Sequence, residues 1–404
     1  MRRLRIAYVL PDVRIGGGAA VVFQHANRLR KRGHDVVVAS SGTLSSTDWF
    51  PRQGAPVMKA SDLPPDLDIL VATSWPTAFE ILRLGAKHHC YFVQSDESRF
   101  YDAGSLLYRG ARLSYELDLS FLTEARWIQR WLSASYAKAA ALVPNGVDGA
   151  IFYPDTPLEP KTGRPRVLLE GAIALPFKGM KESFEAVADL DVEVWCVSAH
   201  GRPEKNWKCD RFFERVPMER MRRIYSSCDI LLKMSRVEGF FGPPLEMMAC
   251  GGICVVGGVS GYDEYIRDGE NALVIEPGDV KGARETVKRI ITNPGLCETL
   301  RRNGRKTADL FGWEPSIDML EKFFLKVEEE KASDSGAIGT NERLLHAYES
   351  TLSESVSGQE GFQALAHRIR KRINNQTLLK VGERVYLHML GHKEFYRKIL
   401  GIKM

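Results

Sequence analysis

Long apolar runs are missing from this chain. No stretch approaches the roughly 18 residues that a membrane-crossing helix needs, so no span is expected. Cysteine is sparse and scattered, at 90, 196, 209, 228, 250, 254 and 297. The number is odd and no Cys-x-x-Cys pair has histidines to match, which argues against a disulfide framework and a zinc site and for a reducing cytosol. Residues 1–10 start basic, but their apolar run is stopped by Pro11-Asp12. That is too short for a secretion signal and reads as a first buried strand. No G-x-G-x-x-G follows that strand, and Ala39-Ser40-Ser41-Gly42 after the second offers no acid for a ribose, so a dinucleotide-dependent enzyme is the weaker reading. Asp66-Leu-Asp68 and Asp189-Leu-Asp191 fit a short metal-binding pattern but sit at element edges, where acids are common, so no metal site is expected.

The composition that is present is ordinary for a globular protein, 44% hydrophobic and 26% charged. Charge is unevenly placed. Residues 361–404 hold ten Lys/Arg against two Asp/Glu, while the rest of the chain carries 46 against 49. In that tail Phe362, Leu365, Ala366, Ile369 and Ile373 fall at helical spacing, with Arg368, Arg370, Lys371 and Arg372 mostly off the stripe. A basic amphipathic tail suits an anionic membrane surface, and packing on a protein is the alternative. No recognised module accompanies the charge, so nucleic acid is not expected.

Strands and helices alternate twice. The first half predicts strands at 4–10, 36–39, 69–73, 90–93 and 119–123, with a helix at 19–31 after the loop that ends in Gly16-Gly17-Gly18. Strand, glycine loop, helix, strand is the phosphate-binding half of a doubly wound fold. Ser74 and Trp75, and then Gln94, Asp96 and Glu97, lie at carboxyl ends of strands, where such sheets place ligands. His34, at a helix-to-strand junction, reads as structural. Val143-Pro-Asn-Gly-Val-Asp148 closes the half, and Pro157, Pro160, Gly163 and Pro165 make a linker. The second half predicts strands at 167–169, 192–197, 230–234, 253–256 and 273–275. Its helices are predicted at 181–190, 218–226, 245–250, 281–291 and 297–307, with a last one at about 314–330. The domains expected are 1–155, 156–330 and a flexible linker with basic tail, 331–404.

One string stands out: Glu238-Gly-Phe-Phe-Gly-Pro-Pro-Leu-Glu246-Met-Met-Ala-Cys-Gly251-Gly252. It reads as a loop feeding a helix, with prolines at the opening turn and glycines at the close. A helix starting there points free N–H groups and a positive dipole end toward the strand tips, a place for phosphate.

The string resembles the signature of family 4 of the retaining glycosyltransferases, enzymes of the GT-B fold. The resemblance covers most of residues 4–330. It implies two Rossmann-like domains facing across a cleft, a nucleotide-diphosphate sugar as substrate, no cofactor and no metal. It puts Glu238 near the transferred sugar and Glu246 on the ribose. Gly16, Gly17 and Gly171 would lie near the donor phosphates, and Lys178, before Gly179, would contact the diphosphate. Gly239, Phe240, Gly242 and Leu245 complete the expected donor side, and Glu238 and Lys178 are the expected catalytic pair. Glu264 and the Asn145–Asp148 segment match further family positions. Two departures stand out: Ala172 occupies a place usually held by Arg, and no His lies near 73–77. Ser74, Trp75, Gln94, Asp96 and Glu97 are the expected acceptor side. The function implied is transfer of a sugar to a glycan or lipid-linked acceptor in surface-polysaccharide assembly, at the inner face of the cell membrane. A catalytically silent nucleotide-sugar-binding scaffold is the alternative.

Overall fold

The computed structural model describes residues 2–161, 163–330 and 335–357. The near-continuous apolar segments form two all-parallel sheets, as expected of strands covered on both faces. In the first sheet the strands are β1 (Arg5–Leu10), β2 (Asp35–Ser40), β3 (Val57–Lys59), β4 (Leu67–Ala72), β5 (Ala86–Val93), β6 (Ser120–Thr123) and β7 (Ala140–Leu142). Their order is β3-β2-β1-β4-β5-β6-β7. The second sheet holds β8 (Arg166–Glu170), β9 (Glu193–Ser198), β10 (Arg211–Glu214), β11 (Ile230–Lys233), β12 (Ile253–Gly257) and β13 (Leu273–Ile275), in the order β10-β9-β8-β11-β12-β13. Each sheet reverses its winding once, between β1 and β4 and between β8 and β11. Doubly wound folds bind ligands outside the carboxyl ends of the strands at such points.

The helices are α1 (Gly17–Lys31), α2 (Trp75–Glu80), α3 (Leu106–Ser114), α4 (Arg126–Tyr136), α5 (Met180–Val187), α6 (Met218–Ser227), α7 (Gly242–Ala249), α8 (Val280–Ile291), α9 (Pro294–Leu310), α10 (Trp313–Glu329) and α11 (Ser335–Ser357). Helix α10 leaves the second sheet and buries Trp313, Ile317, Leu320, Phe324 and Val327 in the core of the first, against Ile6, Tyr8 and Phe92. His34 serves that crossing: its Nε2 lies 3.0 Å from Glu321 of α10, and its Nδ1 accepts from the Leu4 amide at 3.2 Å.

Three short strands escape the periodicity reading. β3, β7 and β10 have only three or four residues each and lie at sheet edges, where one ladder suffices and no long apolar run is required. The segment expected to be a flexible linker is also partly helical. On α11, Leu344, Leu345 and Tyr348 pack on the first domain. Tyr348 stacks on Phe79 with centroids 4.2 Å apart and meets Trp75 edge-on at 5.9 Å. Asn341 brackets Asp118 with two backbone hydrogen bonds. Burial of these side chains outweighs the weak helix preference of a Ser- and Gly-rich segment. The basic tail, 361–404, lies outside the described residues.

Candidate active site

A cleft of about 620 Å³ runs between the carboxyl edges of the two sheets. Its second-domain floor is built by the loops after β8 and β11, neighbours in the sheet although 60 residues apart in the chain. From the first loop comes Lys178, followed by Gly179 in the left-handed region (φ 61°). A Cβ at Gly179 would enter the Met234 carbonyl, so the turn can pass β11 only as glycine. From the second comes Glu238, 9% exposed, whose Oε2 takes a 2.9 Å hydrogen bond from Lys178 Nζ. Burial alone raises the pKa of Glu238, but the ammonium groups of Lys178 and Lys233 outweigh it and hold this carboxyl below its ordinary value. It is an anion at neutral pH.

Glu246 lies one turn into α7 and accepts a 3.0 Å hydrogen bond from the Tyr225 hydroxyl. Burial pushes its pKa to about 7, with the Tyr225 hydrogen bond pulling down and Glu170 pushing up. Two carboxyls eight positions apart thus have different protonation at pH 7. Glu238 only accepts, whereas Glu246 can donate or accept.

The start of α7 departs from expectation. Gly242 spends its N–H on the Phe240 carbonyl at 3.0 Å, and Pro243 and Pro244 have none. The turn that was expected to cradle phosphate therefore has no free amide at Gly242, Pro243 or Pro244. Across the cleft, α1 begins at Gly17 with Gly16 extended before it, and Gly17, Gly18 and Ala19 line the cavity with first-turn amides that have no partner within the helix.

All ten residues expected on the donor side, Gly16, Gly17, Gly171, Lys178, Glu238, Gly239, Phe240, Gly242, Leu245 and Glu246, line the cleft. Of the five expected on the acceptor side, Ser74, Gln94 and Glu97 do. Trp75 does not: only 1% exposed, it packs into the first core and donates its indole N–H to Tyr101 at 3.0 Å. Asp96 also turns away and caps a short helical turn through the Ser98 amide and hydroxyl. Glu97 receives the Trp75 amide at 3.2 Å, and burial pushes its pKa to about 8.

Other residues around the cleft and the domain junction were, Glu264 apart, not singled out from the sequence. Glu124, at the tip of β6, is buried between the domains. Its Oε1 accepts from the Phe240 amide at 2.9 Å and its Oε2 from Asn145 at 2.8 Å. Burial pushes its pKa to about 8. Trp127 donates to the Gly239 carbonyl at 2.8 Å. Glu264 caps α4 of the opposite domain, accepting from the Trp127 amide and from Arg126. Phe100 stacks on Phe177 across the cleft, centroids 5.0 Å apart. Lys233 ends β11 fully buried and gives 2.9 and 2.6 Å hydrogen bonds to the carbonyl and Oε2 of Glu170. A single charge inside the run Ile-Leu-Leu-Lys-Met was the available signal, since a buried ammonium requires a partner.

Residues 174–307, which carry Lys178, Glu238 and Glu246, match the family described as Glycosyl transferases group 1. This segment is a group 1 glycosyltransferase domain. Over 274 residues the chain is 28% identical to the O-antigen biosynthesis protein RfbC of Myxococcus xanthus, covering 65% of this chain and 21% of RfbC. It spans 57% and 45% of two further curated relatives, so it corresponds to only part of each. Among solved structures, sucrose-phosphate synthase from Thermosynechococcus elongatus aligns with a TM-score of 0.68 at 17% identity, covering 80% of this chain and 99% of that one. Anabaena HepE in complex with UDP-glucose aligns with a TM-score of 0.67 at 15% identity over 81% of this chain and 100% of that one. These likenesses place the group 1 domain in a GT-B fold.

Proposed function

We propose that this chain is a retaining glycosyltransferase of family 4. It would move a sugar from a nucleotide-diphosphate sugar to a glycan or lipid-linked acceptor in the assembly of cell-surface polysaccharide. The observation that carries the reading is the meeting of Lys178, Glu238 and Glu246 at the switch point of the second sheet, facing the glycine turn of α1 across the cleft. RfbC, named for O-antigen biosynthesis, and HepE, seen with UDP-glucose, support the pathway and the donor class.

In this reading the nucleotide lies on the second domain. Glu246, poised near neutrality, exchanges hydrogen bonds with the ribose, and Glu238, held as an anion, accepts from sugar hydroxyls. Breaking the anomeric C–O bond builds negative charge on the diphosphate. Lys178 and the first-turn amides of α1 are fixed donors there, preorganised for the charge that develops in the transition state. The acceptor enters from the first domain beside Ser74, Gln94 and Glu97, attacks the face the diphosphate leaves, and passes its proton to the leaving phosphate oxygen. The ammonium group of Lys178 provides the positive charge beside the diphosphate, and we read the reaction as independent of metal. We further read the basic segment 361–404 as holding the enzyme on the anionic inner face of the membrane, close to a lipid-linked acceptor.

A thermal-shift panel of UDP, GDP, dTDP, ADP and NAD tests the donor class. A ligand at a hundred times its Kd stabilises the folded state by about 2.7 kcal/mol, a readily measured rise in Tm. One nucleoside diphosphate should shift the melting point and NAD should not. A response to NAD alone would overturn the proposal.

A further inference from the structure

Lys233 has an unusual set of partners. Two of its three N–H bonds go to Glu170, the carbonyl at 2.9 Å and Oε2 at 2.6 Å. Its Nζ stands 3.8 Å from Glu238 Oε1, beyond hydrogen-bond reach. That oxygen belongs to a nine-tenths buried side chain and, among the described residues, takes no hydrogen bond of normal geometry, although its twin Oε2 is taken by Lys178 at 2.9 Å. The Ser235 hydroxyl, fully buried close by, helps to hold this carboxyl in its charged form but makes no hydrogen bond of normal geometry to it. A buried carboxylate oxygen without a donor is costly, and native proteins keep such atoms chiefly where a ligand or water completes them. Both Lys233 and Glu238 line the cleft.

We propose that Lys233 and Glu238 together bind one hydroxyl of the transferred sugar, Lys233 donating to its oxygen and Glu238 Oε1 accepting its proton. The inference rests on the nucleotide-sugar reading above and deepens it. An oxygen about 2.8 Å from each group fits across the 3.8 Å that separates them. Only a group that both donates and accepts satisfies the pair. A hydroxyl does, a deoxy carbon does neither, and an acetamido N–H cannot accept from the ammonium. The site therefore selects sugars with a free hydroxyl at this position. Glu170 acts as a positioning residue that fixes the lysine.

The test compares the wild type with Lys233→Met and with Lys233→Met/Glu170→Gln, which removes the pair together and leaves no unpaired charge if the single variant folds poorly. The probes are UDP-glucose, UDP-galactose, GDP-mannose, dTDP-glucose and ADP-glucose, each beside its own diphosphate, with Kd read by calorimetry. For the nucleotide sugar that the wild type binds most tightly, the ratio of its Kd to that of the diphosphate should rise about ten- to a hundredfold in both variants. The diphosphate Kd itself should stay within about threefold of wild type, a change of under 1 kcal/mol. An unchanged ratio, or equal weakening of sugar nucleotide and diphosphate, would overturn the hydroxyl site while leaving the donor class intact. A wild type that binds none of the nine probes would instead overturn the donor class, and this site with it.

Discussion

Gly239 sits at a close contact between the two domains, and Gly239→Ala perturbs closure directly. A Cβ built there lies inside the radius of the Gln94 carbonyl oxygen, 3.0 Å from its carbon and 2.7 Å from Glu124 Oε1. Two of these atoms are backbone and the third belongs to a buried carboxyl, so none is a flexible tip that can swing aside. The domains must part. Parting breaks the Phe240 amide to Glu124 and Trp127 to the Gly239 carbonyl, at about 1 to 1.5 kcal/mol each. Closure thus loses about 2–3 kcal/mol, and the ratio of closed to open molecules falls by about 30- to 160-fold. Because the nucleoside rests on the second domain in the proposed mechanism while the diphosphate also meets α1, the Kd of the nucleoside monophosphate should change by less than about threefold while kcat/KM for sugar transfer drops by the full factor. Titration calorimetry and a coupled assay of nucleotide release read the two quantities separately. Transfer by Gly239→Ala within threefold of wild type would refute the reasoning, since the interface would then be irrelevant to catalysis.

Glu238→Gln removes the anion between Lys178 and Lys233 and should lower kcat by about a hundred- to a thousandfold with the fold intact, seen in the same assay beside an unchanged circular-dichroism spectrum. Stability should fall as pH rises from about 6.5 to 8. Glu97, Glu124 and Glu246, with folded-state pKa values of about 8, 8 and 7 against ordinary values of 4.5, keep protons in this window that the unfolded chain has lost. Urea unfolding at the two pH values checks the sign, and Glu124→Gln should flatten the slope. Tyr348→Ala removes the stack on Phe79 and should free α11 at a cost of about 2–3 kcal/mol, read as faster proteolysis within 335–357 without a matching loss of donor binding. A chain ending at residue 360 should stay in the supernatant with anionic phosphatidylserine vesicles that sediment the full chain; equal sedimentation would sink the membrane role of the tail.

Much of the architecture was legible because parallel strands covered on both faces must be apolar throughout. Runs such as 4–10 and 253–256 therefore announced themselves. The edge strands β3, β7 and β10 did not, since three or four residues at an edge need no such run. Helix α11 was misread because Leu344, Leu345 and Tyr348 acquire their meaning only from Phe79 and Trp75, more than 250 residues earlier in the chain. Trp75 and Asp96 show the same limit from the other side. Position at a strand tip is visible in sequence, whereas the direction of the side chain is not.

Taken by itself, the sequence determined the double alternation of strand and helix, the two glycine turns, and the spacing of Glu238 and Glu246, all of which are local or periodic properties. Tertiary structure alone decided which charges meet. The order β9-β8-β11-β12 sets the ends of β8 and β11 side by side, and this places Lys178 on one oxygen of Glu238 and Lys233 near the other. It also buries Glu124 of one domain against the Phe240 amide of the other. Burial and pairing shift a carboxyl in opposite directions, so the same residue type is an anion at 238 and near-neutral at 246 only once the strands have been assembled around them.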